Sequence, residues 1–325
     1  MSGGSNLINL ASERLGARAV AANDDFFAEK ENLVKDAEAV SNSEYTDRGK
    51  WMDGWETRRR RQPGHDWCVV RLGARGIVRR LIVDTSHFKG NHPPECSVEA
   101  LDAAGVAVPD SNAAWQPLLD RSPLLADTKN EFAVSRTIPA THLRLSIYPD
   151  GGVARLRALG EVVPDLERLR GEGEVNLAAI EHGAVVVLAS DMFFGDRQNL
   201  IMPGRAQSMH DGWETRRRRD AGNDWAIVRL PGPATVDRIE VDTSHFKGNA
   251  PGSCSVDGIM SPVAAPENLQ DADGWTPLVP QTPLEPHRNH VLEREILSAG
   301  PFSHVRLNIY PDGGVSRLLV WGKLV

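Results

Sequence analysis

The chain has 325 residues, 41% hydrophobic and 25% charged, and its 37 Lys and Arg against 44 Asp and Glu leave a formal net charge of −7. That length suits two domains, each able to bury its own core, and the acidic balance argues against general affinity for nucleic acid or an acidic membrane while leaving local arginine clusters free to hold a small anion. No apolar run is long enough to span a bilayer and residues 1–9 have neither secretory nor transit character, so a cytoplasmic protein is expected.

Taken in order, Asn9-Leu10-Ala11 opens a lead-in strand, and residues 28–37 hold at most a brief helix, since the matching stretch of the second half carries Pro203-Gly204. Asp53-Gly54-Trp55-Glu56-Thr57-Arg58-Arg59-Arg60-Arg61 follows, and it is written a second time, 158 residues later, from Asp211 to Arg219. Trp67 to Leu72 reads as a strand ending at Gly73, Ile77 to Val83 as a second, and Cys96 to Leu101 as a third. The clearest alternation sets Leu143, Leu145 and Ile147 against Arg144, Ser146 and Tyr148, one face entering a core and the other presenting arginine and tyrosine. The second half repeats it with Val305, Leu307 and Ile309. A polar stretch from Val163-Pro164 to Gly173 divides two copies, residues 9–162 and 174–325. Short strands separated by Gly, Pro and Asn imply an all-β protein, a jelly-roll β-sandwich in each copy.

The repeat covers nearly everything, and its offset changes only between motifs, where loops accept insertions. It is 167 at Phe26-Phe27 and Phe193-Phe194, 158 at the arginine run and at Asp84 to Asn91 against Asp242 to Asn249, and 162 at Tyr148 to Val153 against Tyr310 to Val315. Two copies of one fold can share a core through merely similar residues, so identical polar residues mark contacts kept in both. Three segments qualify. In the arginine run, an extended chain would set Arg58 and Arg60 on one face and Arg59 and Arg61 on the other, one pair meeting a ligand and the other pairing with Asp53, Glu56 or Asp66; a ladder of internal salt bridges is the plainer alternative. The loop Asp84-Thr85-Ser86-His87-Phe88-Lys89-Gly90-Asn91 puts a histidine, a lysine and an asparagine at a strand end, suited to proton transfer and to holding a carboxylate. Tyr148-Pro149-Asp150-Gly151-Gly152-Val153 is first of all a turn, with the polar strand face of Arg144 and Tyr148 leading into it.

Cys68, Cys96 and Cys254 are odd in number and lack a CxxC pair, which suits reduced thiols better than disulfides or structural zinc. A divalent metal stays open, His87 standing with Asp84, but no second histidine stands at ligand spacing; no other cofactor is indicated.

With these motifs assembled, the sequence resembles the allantoicase family, through Asp-Gly-Trp-Glu-Thr-Arg-Arg-Arg, Asp-Thr-Ser-His-Phe-Lys-Gly-Asn and Tyr-Pro-Asp-Gly-Gly, each present twice and in order from about Asn9 to Val325. Trp-x-x-Val-x-Leu-Gly at Trp67 to Gly73 is similar to a strand of galactose-binding-like domains. The resemblance implies two such jelly rolls, hydrolysis of allantoate to ureidoglycolate and urea, and a homo-oligomer with a small-molecule substrate and neither nucleic-acid nor membrane partners. The expected proton-transfer pair is His87 and His245, with Glu56 and Glu214 orienting water or a ureido nitrogen. Substrate binding is expected from Arg58, Arg60, Lys89 and Asn91 with Arg216, Arg218, Lys247 and Asn249, joined by Tyr148, Tyr310, Asp150 and Asp312. Whether the copies form two sites or one shared site stays open. The alternative from another class is a non-catalytic tandem module that binds a sugar or a small anion.

Overall fold

The structure is a computed structural model and describes residues 6–110 and 112–325. One compact unit comprises Leu7–Val163 and the other includes Pro164–Val325. In the first, the strands are β1 (Ile8–Asn9), β2 (Arg18–Ala22), β3 (Tyr45–Thr46), β4 (Gly49–Lys50), β5 (Trp55–Glu56), β6 (Asp66–Asp84), β7 (Glu95–Leu101), β8 (Gln116–Pro123), β9 (Lys129–Ala133), β10 (Pro139–Tyr148), β11 (Gly152–Val153) and β12 (Arg155–Val162). A six-residue helix, Leu166–Gly171, follows, and then β13 (Val175–Asn176), β14 (Val185–Ala189), β15 (Trp213–Glu214), β16 (Asp224–Asp242), β17 (Ser253–Ile259), β18 (Thr276–Pro283), β19 (Asn289–Leu292), β20 (Phe302–Tyr310), β21 (Gly314–Val315) and β22 (Arg317–Leu324) repeat the plan. Both repeats are jelly-roll sandwiches, as the short strands separated by Gly, Pro and Asn imply.

One 19-residue strand organises each repeat. The N-terminal half of β6 pairs with β2 and β10, and its C-terminal half with β9 and β12. The sequence reading ended this strand at Gly73. Backbone pairing continues through that glycine instead, because the strand changes partners there, with β10 jumping register between Ala140 and His142; a bent strand that passes from one sheet of a sandwich to the other needs such an irregularity. Gly73 allows the bend to lie against the Leu15 carbonyl, to which an added Cβ would come within 2.6 Å.

The core lies where the alternation put it. Leu143, Leu145 and Ile147 of β10 are fully buried, as are Val70, Leu81, Val83 and Val98. The opposite face of β10 is less open than its residues imply: Ser146 is buried, and Arg144 is paired to Glu99 and laid over the Trp115 ring. The brief helix expected near residues 28–37 is a 3-10 turn, Lys30–Val34, matched by Arg197–Ile201.

Candidate active site

The arginine-run motif is shaped by packing at nearly every position. Asp53 is buried against Arg155, with Oδ2 2.7 Å from a guanidinium nitrogen. Gly54 lies against the Phe88 ring, and Trp55, fully buried, donates its indole N–H to the Asp24 carbonyl at 2.8 Å. Thr57 exchanges backbone and hydroxyl hydrogen bonds with Gly151. Arg58 donates to the Asp24 carboxylate at 2.6 Å and covers the Phe26 ring, while Arg60 donates to the buried Asp66 carboxylate at 2.6 Å. Residues 57–60 are not assigned to a strand, and both arginines are engaged by carboxylates. The second repeat does the same with Arg216 on Asp191 and Arg218 on Asp224.

Glu56 is the exception in that segment. It sits on β5, which pairs with β11, and its side chain enters a cleft of about 430 Å³ lined also by His87, Lys89 and Asn91. Asn91 donates to Glu56 Oε1 at 2.7 Å, Oε2 has no hydrogen-bond partner among the described residues, and burial pushes the Glu56 carboxyl above the usual carboxylate range against the lowering effect of that hydrogen bond. Asn249 and Glu214 form the same pair at 2.6 Å.

His87 and His245 are held in the left-handed region, both at φ 71, a conformation that costs a non-glycine residue on the order of 1 kcal/mol. The anchor is the backbone N–H, which donates to Asp127 Oδ1 in the first repeat and to His287 Nδ1 in the second, both at 2.7 Å. Each ring places Nε2 about 3 Å from a backbone carbonyl, Ala39 at 3.0 Å and Ala206 at 2.9 Å. A carbonyl only accepts, so Nε2 carries the proton and Nδ1 is left as the basic nitrogen. Lys89 is exposed and 3.7 Å from Asp127; Lys247 is exposed too, with His287 in the place of that aspartate.

The structure therefore brings Glu56, His87, Lys89 and Asn91 to one cleft; in the second repeat hydrogen bonding joins Glu214 to Asn249, and His245 repeats the anchoring of His87. It does not bring in Tyr148 or Tyr310, whose hydroxyls meet Ser97 and Ser255 on the sheet at 2.8 and 3.0 Å. Asp150 and Asp312 hold the backbone N–H of Arg60 and Arg218, both at 2.8 Å, and so fix the turn. Sequence reasoning missed the cleft residues Phe27, Ser41, Lys50 and Met52. The signal for three of them was available: the repeat offset falls from 167 to 158 between Ala39 and Asp53, which marks nine extra residues in the first copy, and these form the β3–β4 hairpin beside Glu56.

Among the described residues no group of three or more His, Cys, Asp or Glu side chains is placed to hold a metal ion. The three cysteines are free and buried, and burial pushes the Cys96 and Cys254 thiols up to about 12, which removes them as nucleophiles.

A family model described as Allantoicase repeat matches residues 8–163 and again 175–325. "Probable allantoicase 2" of Burkholderia pseudomallei is 47% identical over 98% of this chain and 95% of its own length, and "Allantoicase" of Dictyostelium discoideum is 47% identical over 97% and 87%. The crystal structure of the Saccharomyces cerevisiae allantoicase superposes with a TM-score of 0.81 at 32% identity, covering 99% of this chain and 94% of that one.

Proposed function

The chain belongs to the allantoicase family and is a hydrolase of that family, and we propose that it converts allantoate and water to ureidoglycolate and urea in the cleft where Glu56 meets His87. The observation that supports this placement is a carboxyl group kept protonation-prone by burial, with one oxygen fixed by Asn91, beside an imidazole whose tautomer is set by a backbone carbonyl.

Allantoate carries a carboxylate, a hydrogen and two ureido groups on one carbon. A water oxygen bonds to that carbon, one carbon–nitrogen bond breaks, and the lone pair of the retained ureido nitrogen stabilises the positive charge that develops as urea departs. Glu56, its carboxyl raised by burial, donates a proton from Oε2 to the departing nitrogen, and His87 accepts the proton of the entering water at Nδ1. Lys89 faces the carboxylate. Arg58 and Arg60, bound to Asp24 and Asp66, keep their neighbours in place and are positioning residues in this scheme. The reaction is a step of allantoin breakdown, and the enzyme acts in the cytoplasm as a homo-oligomer without nucleic-acid or membrane partners; the free, buried thiols support a reducing compartment.

The test is urea measured against time on chelator-treated protein with allantoate, then with a divalent metal restored. Urea in the chelated sample supports the proton-transfer scheme, urea only with metal replaces it by a metal-assisted one, and no urea in either sample defeats the reading.

A further inference from the structure

We propose that Lys50, carried by a hairpin present only in the first repeat, binds the substrate carboxylate and makes the first-repeat cleft selective for an anion. The inference rests on the function proposed above and names a residue that no shared motif contains.

Lys50 ends β4, and its backbone is paired with Tyr45 across the hairpin. Three contacts fix the hairpin and its stem: Arg48 donates to the Phe26 carbonyl at 3.2 Å and covers the Phe26 ring, Trp51 donates its N–H to the Glu44 carbonyl at 2.9 Å, and Val40 donates its N–H to Asp53 Oδ2 at 3.0 Å. Lys50 thus lines the same space as Glu56, His87 and Lys89 from a held backbone. Among the described residues no carboxylate lies within ion-pair distance of Lys50, whereas Lys89 has Asp127 at 3.7 Å. The one carboxyl group lining the cleft is Glu56, which burial biases toward its neutral form. Of the two ammonium groups that line the cleft, Lys50 is the one without a carboxylate partner among the described residues, so the cleft offers an unpaired positive charge. An anion is its natural complement, and the less encumbered ammonium has more to gain by pairing with it. In the second repeat Ser208 stands at the corresponding place, 158 residues on, where the segment has no hairpin.

The experiment uses the full-length protein in the Glu214→Gln background, so that urea comes from the first cleft, and compares Lys50→Gln and Lys50→Arg with allantoate and with its neutral carboxamide. Lys50→Gln is expected to raise KM for allantoate roughly tenfold or more, the loss of one charge-assisted contact, with kcat little changed. Lys50→Arg should recover most of that loss, and KM for the carboxamide should be the same with and without the lysine. An unchanged KM for allantoate, or an equal loss with the carboxamide, overturns the proposal. Calorimetric titration of allantoate into the same proteins separates the two readings. Should the parent protein release no urea, the catalytic assignment fails, yet a tenfold weaker Kd in Lys50→Gln still supports Lys50; an unchanged Kd, or no binding at all, overturns it.

Discussion

The same stretch of sheet is covered in one repeat and open in the other. In the first, Arg157 of β12 donates to the carbonyls of Lys35 and Asp36, and the Asp36 carboxylate accepts the Ser12 hydroxyl at 2.6 Å, so the chain is strapped across the strand before it rises into the hairpin. In the second, Leu319 takes the register position of Arg157, the connection is nine residues shorter, and a cavity of about 710 Å³ lies over Leu319, Trp321 and Glu240. Duplication kept the polar motifs and let the connection between them change. Two copies of the same Glu, His, Lys and Asn thus differ in what surrounds them, and the difference lies in the segment that the first copy extends by nine residues.

Replacing Glu56 and Glu214 in turn tests that comparison most severely. Glu56→Gln keeps an acceptor for Asn91 but cannot donate as an acid, and should lower kcat for urea release by about 10²-fold or more; Glu214→Gln should leave most of the activity in place. Equal losses would mean that the hairpin does not distinguish the two clefts. The next test concerns what the repeats share. A Cβ added at Gly152 would lie 2.0 Å from the Phe88 ring, and one at Gly314 would lie 2.0 Å from Phe246, so Gly152→Ala and Gly314→Ala should each cost roughly 3 kcal/mol in denaturant unfolding. A variant as stable as the parent at either position would show that the ring can move aside there.

The smallest expected effect is a difference in acid sensitivity. Burial, aided by the Arg229 charge, holds the His304 imidazole down at about 4, while its counterpart His142 is lowered by burial against two backbone hydrogen bonds. The folded value lies below the ordinary one of about 6.5, so the stability tied to the neutral His304 ring is complete above about pH 6.5 and is lost as pH falls toward 4. Between pH 7 and 4.5 the stability advantage of the parent over His304→Gln should therefore shrink, by about 2 kcal/mol. A constant gap would mean that the ring is charged, or wet, in the native protein.

Much of the fold was legible because burial leaves a period-two record: Leu143, Leu145 and Ile147 announce a buried strand face with no help from context. The continuity of β6 through Gly73 was hidden, since a glycine looks like a stop when the partner change that keeps the strand paired lies 70 residues away. Identity between the repeats singled out Glu56, His87, Lys89 and Asn91, which line one cleft, and equally Arg60, Asp150 and Tyr148, which meet a buried carboxylate, a turn and a serine hydroxyl. Identity reports that a contact is kept, whether it serves packing or chemistry. It is blind by construction to Lys50, which only one copy has.

The long strand at the centre of each repeat also bears on how the protein is made. β6 draws its neighbours from Arg18–Ala22 at one end of the first repeat and from Arg155–Val162 at the other. At about 5–20 residues per second, a ribosome leaves its C-terminal half without the β12 partner for several seconds after the strand itself has been synthesised. Ladders closed over such sequence distances form slowly even in a finished chain. The nascent first repeat thus presents an open, apolar strand edge during translation, and the second presents the same edge until its final residues, Arg317–Leu324, leave the ribosome.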